Sequence, residues 1–259
     1  MFLVFDKQKI CTYLVSVMTV ILLFGVALKI NQEENSTNVS AELGRKVPIY
    51  NVRTEENKVA LTMNCAWEPD DMEKILKTLK ENNVKITFFV VGEFMDKNPE
   101  IIKKMYEEEH EIASHSNTHP HVTKLSYEEN VKEIEECNNK IEKLTGEKNR
   151  IYRAPYGEYN DTVIKAVENQ KNYCIQWNLD TIDYTGLTGK EMWNRIKDKI
   201  KPGDIILTHS GTKHTADSLD MILKNIKAKN LEIVKISDLI YKENYKINEN
   251  GTQIIDKNV

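Results

Sequence analysis

The sequence has no closely spaced cysteines, no basic tract and no internal repeat. Its four cysteines, Cys11, Cys65, Cys137 and Cys174, lie far apart. They describe neither a disulfide framework nor a zinc ribbon. Thirty-six basic residues stand against 40 acidic ones, a formal net charge of -4, and no stretch gathers lysine and arginine as nucleic-acid binding requires. Nucleic acid is therefore set aside as a partner. What the sequence does have is length: 259 residues give room for one large domain or two small ones, with ample chain to bury a core.

One long apolar run is present. From Ile10 to Ile30 no charge occurs before Lys29. About twenty residues at ~1.5 Å each span the ~30 Å hydrocarbon core of a bilayer. Lys7 and Lys9 precede the run, which holds the N-terminus in the cytoplasm and sends the remainder outside. The expectation is an uncleaved, single-pass signal anchor with an extracellular domain. Secretion after cleavage is the alternative, although Gly25-Val26-Ala27 is a weak small-x-small cleavage site. The resulting layout is a cytoplasmic stub and transmembrane anchor over 1–30, an extracellular tether over 31–57, a folded domain over 58–243 and a polar tail over 244–259. Within the tether, the apolar patch Val47-Pro48-Ile49-Tyr50 is a candidate to dock on the domain.

After Lys58 short apolar runs alternate with amphipathic helical patterns. The runs are 59–62, 86–90, 111–114, 151–153, 173–176, 204–207 and 231–234, and the helical periodicities fall at 71–82, 99–109, 127–145, 161–170, 189–200 and 215–229. Seven strands with intervening helices predict an α/β fold with a parallel sheet, a distorted and incomplete (β/α)7 barrel. Chemistry in such folds collects on loops at the C-terminal ends of the strands.

Those ends carry the titratable residues. His115-Ser116-Asn117-Thr118-His119 follows the third run and stops at Pro120. Ser, Asn and Thr favour turns over helix interiors, so both imidazoles are delivered on a loop where they can converge on one ion. Asn64 and Cys65 follow the first run and Arg153 to Gly157 the fourth. Trp177, Asp180 and Asp183 follow the fifth, and Leu207 to His209 end the sixth.

In these motifs the chain resembles the polysaccharide deacetylases of the NodB-homology type, carbohydrate esterase family 4, over about residues 56–243. The family's ordered motifs are matched at His115 to His119, Arg153 to Gly157, Asp180 to Tyr184 and Leu207 to His209. The resemblance implies metal-dependent removal of N-acetyl groups from an aminosugar polymer such as peptidoglycan, with a divalent ion, zinc foremost, held by His115 and His119. It makes His209 the acid that protonates the leaving amine, oriented by Asp183 or Asp180. Arg153 becomes the residue that positions the base, the Tyr156 N–H a donor to the oxyanion, and Trp177 and Leu207 the lining of the acetyl pocket.

The first motif departs from the family. Asn64 stands where the base Asp belongs and Cys65 where the metal Asp belongs. An amide orients a water but does not take its proton. A thiolate is a good zinc ligand, so a Cys65-His115-His119 site is one expectation and a small buried thiol is the other. Asp70 and Asp71 read as the cap and first turn of a helix rather than as a replacement base. Two functions follow: a membrane-anchored hydrolase acting on extracellular N-acetylated glycan, or a non-catalytic glycan-binding descendant of the same fold.

Overall fold

The structure, a computed structural model, describes residues 46–256. The expected anchor at 10–30 and the first part of the expected tether lie outside the described residues. Among the described residues no helix is long and apolar enough to cross a membrane.

Among the described residues eleven strands are formed: β1 (Asn51–Val52), β2 (Lys58–Cys65), β3 (Thr87–Val90), β4 (Glu111–Ser114), β5 (Ile151–Tyr152), β6 (Tyr173–Cys174), β7 (Leu179–Asp180), β8 (Ile205–His209), β9 (Glu232–Val234), β10 (Tyr245–Ile247) and β11 (Thr252–Ile255). Eight of them make a parallel sheet in the order β6-β5-β4-β3-β2-β8-β7. β9 joins beside β2 at Lys58–Ala60, just before β8 takes over the pairing at Ala60–Asn64. After Lys58 every residue of β2 is buried, as a strand covered on both faces must be.

Alternation along β2 divides the core. Val59, Leu61, Met63 and Cys65 join the cluster packed under the helices, whereas Ala60 faces a second cluster inside the curl with Phe89, Ala113 and Ile205. The helices present apolar stripes at i, i+3, i+4 spacing: Met72, Ile75, Leu76 and Leu79 on one, and Leu219, Ile222, Leu223 and Ile226 on another. Capping boxes at Ser126/Glu129 and Thr188/Glu191 satisfy the first amides of helices 127–145 and 189–196.

The open edge of the sheet is bridged by chain that precedes β2. Ile49 donates to the Cys174 carbonyl at 2.8 Å and accepts from the Gln176 amide at 2.7 Å. Three residues on, the Val52 N–H reaches the Gly203 carbonyl at 2.9 Å. Gly203 has φ +85°, and a Cβ there would lie 1.7 Å from the Val52 carbonyl oxygen, so only glycine fits.

Three expectations change. The barrel-like sheet gains an eighth strand, β7, where a loop was expected after the fifth run. The domain does not begin at 58 or end at 243: β1, β11 and β10 form a small sheet in that order, and Ile49 and Val52 are core residues at 1% and 3% exposure. Polar composition hid this, because two-residue strands leave no periodicity and Gln253, whose side chain bonds both backbone groups of Tyr241, reads as a tail residue. Finally, β2 runs three residues past its expected end, which decides the fate of Cys65 below.

If residues 46–52 are structural, Ile49→Ala is expected to destabilise the protein by about 2–5 kcal/mol in urea denaturation. A change below ~0.5 kcal/mol, the usual size for a surface site, would return this segment to the tether.

Candidate active site

β4 ends at Ser114, and the His115 amide still bonds the Val90 carbonyl at 3.0 Å. The loop beyond it uses the left-handed region at Ser116 (φ 65°) and His119 (φ 58°), turning both imidazoles to one side. Helix 127–145 braces that turn. Glu133 accepts from the amides of Asn117 and Thr118, each at 2.9 Å, and from the Thr118 hydroxyl at 2.8 Å. Gly92 lets the loop come close, since a Cβ there would lie 2.1 Å from Asn117 Oδ1. The two rings sit 5.0 Å apart by centroid. His115 Nδ1 is 2.9 Å from the Arg153 carbonyl. A carbonyl only accepts, so Nδ1 carries the proton and Nε2 keeps its lone pair. Burial, then the neighbouring His119, holds His115 well below the ordinary histidine pKa; burial also lowers His119.

Arg153 is wholly buried. Its Nη1 donates to Asn64 Oδ1 at 2.9 Å and its Nη2 to the Gln176 carbonyl at 3.1 Å, while the guanidinium carbon lies 3.8 Å over the Phe89 ring. Nε has no partner. Burial pushes the guanidinium down to about 9, which leaves it cationic at neutral pH. Among the described residues no carboxylate forms an ion pair with it.

His209 closes β8 directly beside Asn64, its register partner on β2. Asp183, with no exposed surface, accepts from His209 Nδ1 at 2.8 Å and the His209 amide at 2.7 Å, and also from the Thr215 hydroxyl at 2.7 Å. Asp180 caps its own turn through the Ile182 amide at 2.7 Å. Of the two acids named for His209, Asp183 holds it. Trp67 and Tyr184 flank the imidazole at 5.4 and 5.3 Å.

These groups surround a cavity of about 510 Å³. Eight of the predicted residues line it: Asn64, His115, His119, Tyr156, Trp177, Asp180, Leu207 and His209. Arg153 and Asp183 stand behind it. Cys65 is not part of it. Successive residues of a strand face opposite ways, so β2, by continuing through Cys65, turns Asn64 to the cavity and Cys65 into the core under the helices. Burial pushes the thiol up to about 12, the protonated form. Asp71, likewise, turns to the Gly211 amide at 2.9 Å and not to the cavity. Sequence reasoning missed the brace Glu133, the Thr215 hydroxyl on Asp183 and a cavity wall from the short helix Gly92–Lys97, which supplies Phe94. None carries a local signal.

The divalent ion implied by the resemblance does not fit this donor set. His115 Nε2 is available and His119 stands beside it, but a metal ligand must be deprotonated, and Cys65 is a core thiol. Among the described residues no group of three or more His, Cys, Asp or Glu side chains could hold a metal ion.

A sequence profile for polysaccharide deacetylases matches residues 51–174. A peptidoglycan-N-acetylglucosamine deacetylase of Bacillus cereus is 32% identical over 186 residues, 70% of this chain and 68% of the relative. The chain belongs to the polysaccharide deacetylase family. Another relative, YlxY of Bacillus subtilis, is 31% identical over 74% of this chain, which spans 60% of that protein's length. Among solved structures, BA3943 of Bacillus anthracis superposes with a TM-score of 0.72 at 32% identity, over 74% of this chain and 68% of that one, and is described as a CE4 family pseudoenzyme. A mutant of it, with the same TM-score and identity, is described as having restored enzymatic activity. The chain is thus similar both to a protein named as a deacetylase and to one described as a pseudoenzyme.

Two outcomes are expected. Zinc-treated, desalted protein should hold well below one equivalent of metal, and Cys65→Ser should not change it; full occupancy lost in Cys65→Ser would make the thiol a ligand. Asn64→Asp should stabilise the fold by roughly 1–3 kcal/mol at pH 7 by giving buried Arg153 a carboxylate. Paired with Arg153, that carboxylate titrates below the unfolded value of about 3.9, so the gain is present above that pH and is lost as pH falls through the folded pKa. Chemical denaturation of wild type and variant at pH 7 and about pH 3 reads both.

Proposed function

We propose that this protein removes N-acetyl groups from an extracellular aminosugar polymer of the peptidoglycan class. The observation that carries the reading is the buried Asp183 carboxylate on His209 Nδ1, at the wall of a cavity that His115 and His119 also line. Asp183 fixes the tautomer and the orientation of the ring, so His209 is placed to deliver a proton. In the reaction a water adds to the acetyl carbon, protonated His209 gives its proton to the amine as the C–N bond breaks, and one proton of the attacking water returns to His209 as acetic acid departs. Asn64 orients the water, the Tyr156 N–H donates to the oxyanion, and Leu207 and Trp177 surround the acetyl methyl. The names of relatives such as the B. cereus enzyme support the substrate class. The apolar run at 10–30, preceded by Lys7 and Lys9, supports a membrane-anchored domain outside the cell, with secretion after cleavage as the alternative.

A second reading, glycan binding without turnover, is favoured by a specific observation. Residue 64 is an amide held by Arg153, which takes no proton from water, and the second position of that motif faces the core.

Soluble domain from about Arg45, incubated with acetylated glycan fragments, should release acetate, and His209→Ala should lower the rate by about 10²–10⁴-fold with fragment binding retained. Binding intact but no acetate above the His209→Ala level would establish the second reading.

A further inference from the structure

After β5 the chain reverses through a four-residue turn, Pro155 to Glu158, closed by the Glu158 amide on the Pro155 carbonyl at 3.1 Å. Both central residues have positive φ, 57° at Tyr156 and 68° at Gly157. Turns of that class are ordinarily filled by Asn-Gly or Gly-Gly, because a bulky side chain crowds the left-handed region. Gly157 meets the demand and Tyr156 does not. A large residue keeps such a conformation only where its surroundings impose it.

Burial does not impose it, since Tyr156 is 58% exposed. Its ring meets two imidazoles instead. His121 stacks on it, with centroids 4.4 Å apart and planes 17° from parallel, and His119 meets it edge-on at 4.7 Å. The His119 amide is itself tied to Ser116 Oγ at 3.0 Å. His121 is tied to the strained turn. Glu158 Oε1 accepts from His121 Nδ1 at 2.9 Å, and its Oε2 accepts from the Thr123 hydroxyl at 3.0 Å. The hydrogen bond from His121 holds the Glu158 carboxyl below the usual carboxylate range. Both side chains of the pair are partly exposed, so charge alone would contribute little. The link is geometric: one carboxylate holds two residues of one short segment. The residue that closes the turn with its amide thus secures, with its side chain, the ring lying on Tyr156.

We propose that His121 and Glu158 are positioning residues that hold Tyr156 in its left-handed turn at the cavity wall and touch no substrate themselves. Tyr156 lines the cavity, whereas neither His121 nor Glu158 is among its lining residues. Glu158 then does for this end of the histidine loop what Glu133 does for Asn117 and Thr118. The residue they fix is the one whose N–H meets the oxyanion. That consequence rests on the deacetylase reading; the clamp does not.

Two measurements on the soluble domain from about Arg45, which contains the strap and both sheets, test this. In urea denaturation, which needs no substrate, His121→Ala should lower the folding equilibrium constant by about tenfold. In a Tyr156→Gly background, where glycine fills the turn without strain, the same change should lower it by less than about threefold. Equal losses in the two backgrounds would mean that His121 does not act through Tyr156, and would overturn the clamp. In acetate release from acetylated glycan fragments, His121→Ala should lower kcat by about 10–10²-fold with KM unchanged. Glu158→Gln, whose amide oxygen still accepts from His121, should lower it less. A raised KM with kcat unchanged would make His121 a glycan contact and overturn the proposal. Should the wild type release no acetate, the deacetylase reading fails, and the coupling in urea still decides the clamp.

Discussion

The site depends on one buried cation. Arg153 has no access to water, so its donors must be met from within: Asn64 Oδ1 from β2, the Gln176 carbonyl following β6 and the face of Phe89 on β3. These contacts fasten three strands of the curled sheet around one guanidinium. Its own carbonyl fixes the tautomer of His115. The Asn64 amide meets the guanidinium with a charge-assisted hydrogen bond but brings no opposing charge of its own.

Around it the chain matches the family's motifs on one side of the cavity and departs from them on the other. The matching side has His209, held by Asp183 through both ring and backbone, with Thr215 completing the carboxylate's partners. The departing side is the end of β2, where an amide and a thiol occupy consecutive positions. Trp67, two residues beyond the thiol, packs against His209, so the end of β2 leads into the surroundings of that histidine. The likeness at once to a peptidoglycan-N-acetylglucosamine deacetylase and to a pseudoenzyme is in keeping with such a division.

Much of this was legible in the sequence, and for identifiable reasons. Long helices such as 127–145 and 215–227 announce themselves by apolar spacing over several turns, and the ordered motifs placed His115, His119, Arg153 and His209 at strand ends. What could not be read was anything set by a single-residue offset or a distant partner. Ending the first strand at Thr62 leaves Cys65 on a loop with the histidines; running it three residues further sends the thiol to the opposite face. Asp180 and Asp183 are alike in sequence, and only the turn between them, with Ile182 at φ 53°, determines which one meets His209. Glu133 lies on a helix face like any other glutamate until the loop it braces is in place.

The strap at Ile49–Val52 has a consequence for how the protein behaves when cut short. It covers backbone groups of β6 and of the Gly203 turn that would otherwise be bare. A chain trimmed to begin at Lys58, where the strand pattern first becomes regular, would expose that edge together with the unpaired side of β11. Uncovered strand edges recruit edges from other molecules. Such a fragment would be a template for intermolecular pairing, and its insolubility would say nothing about the catalytic end of the sheet.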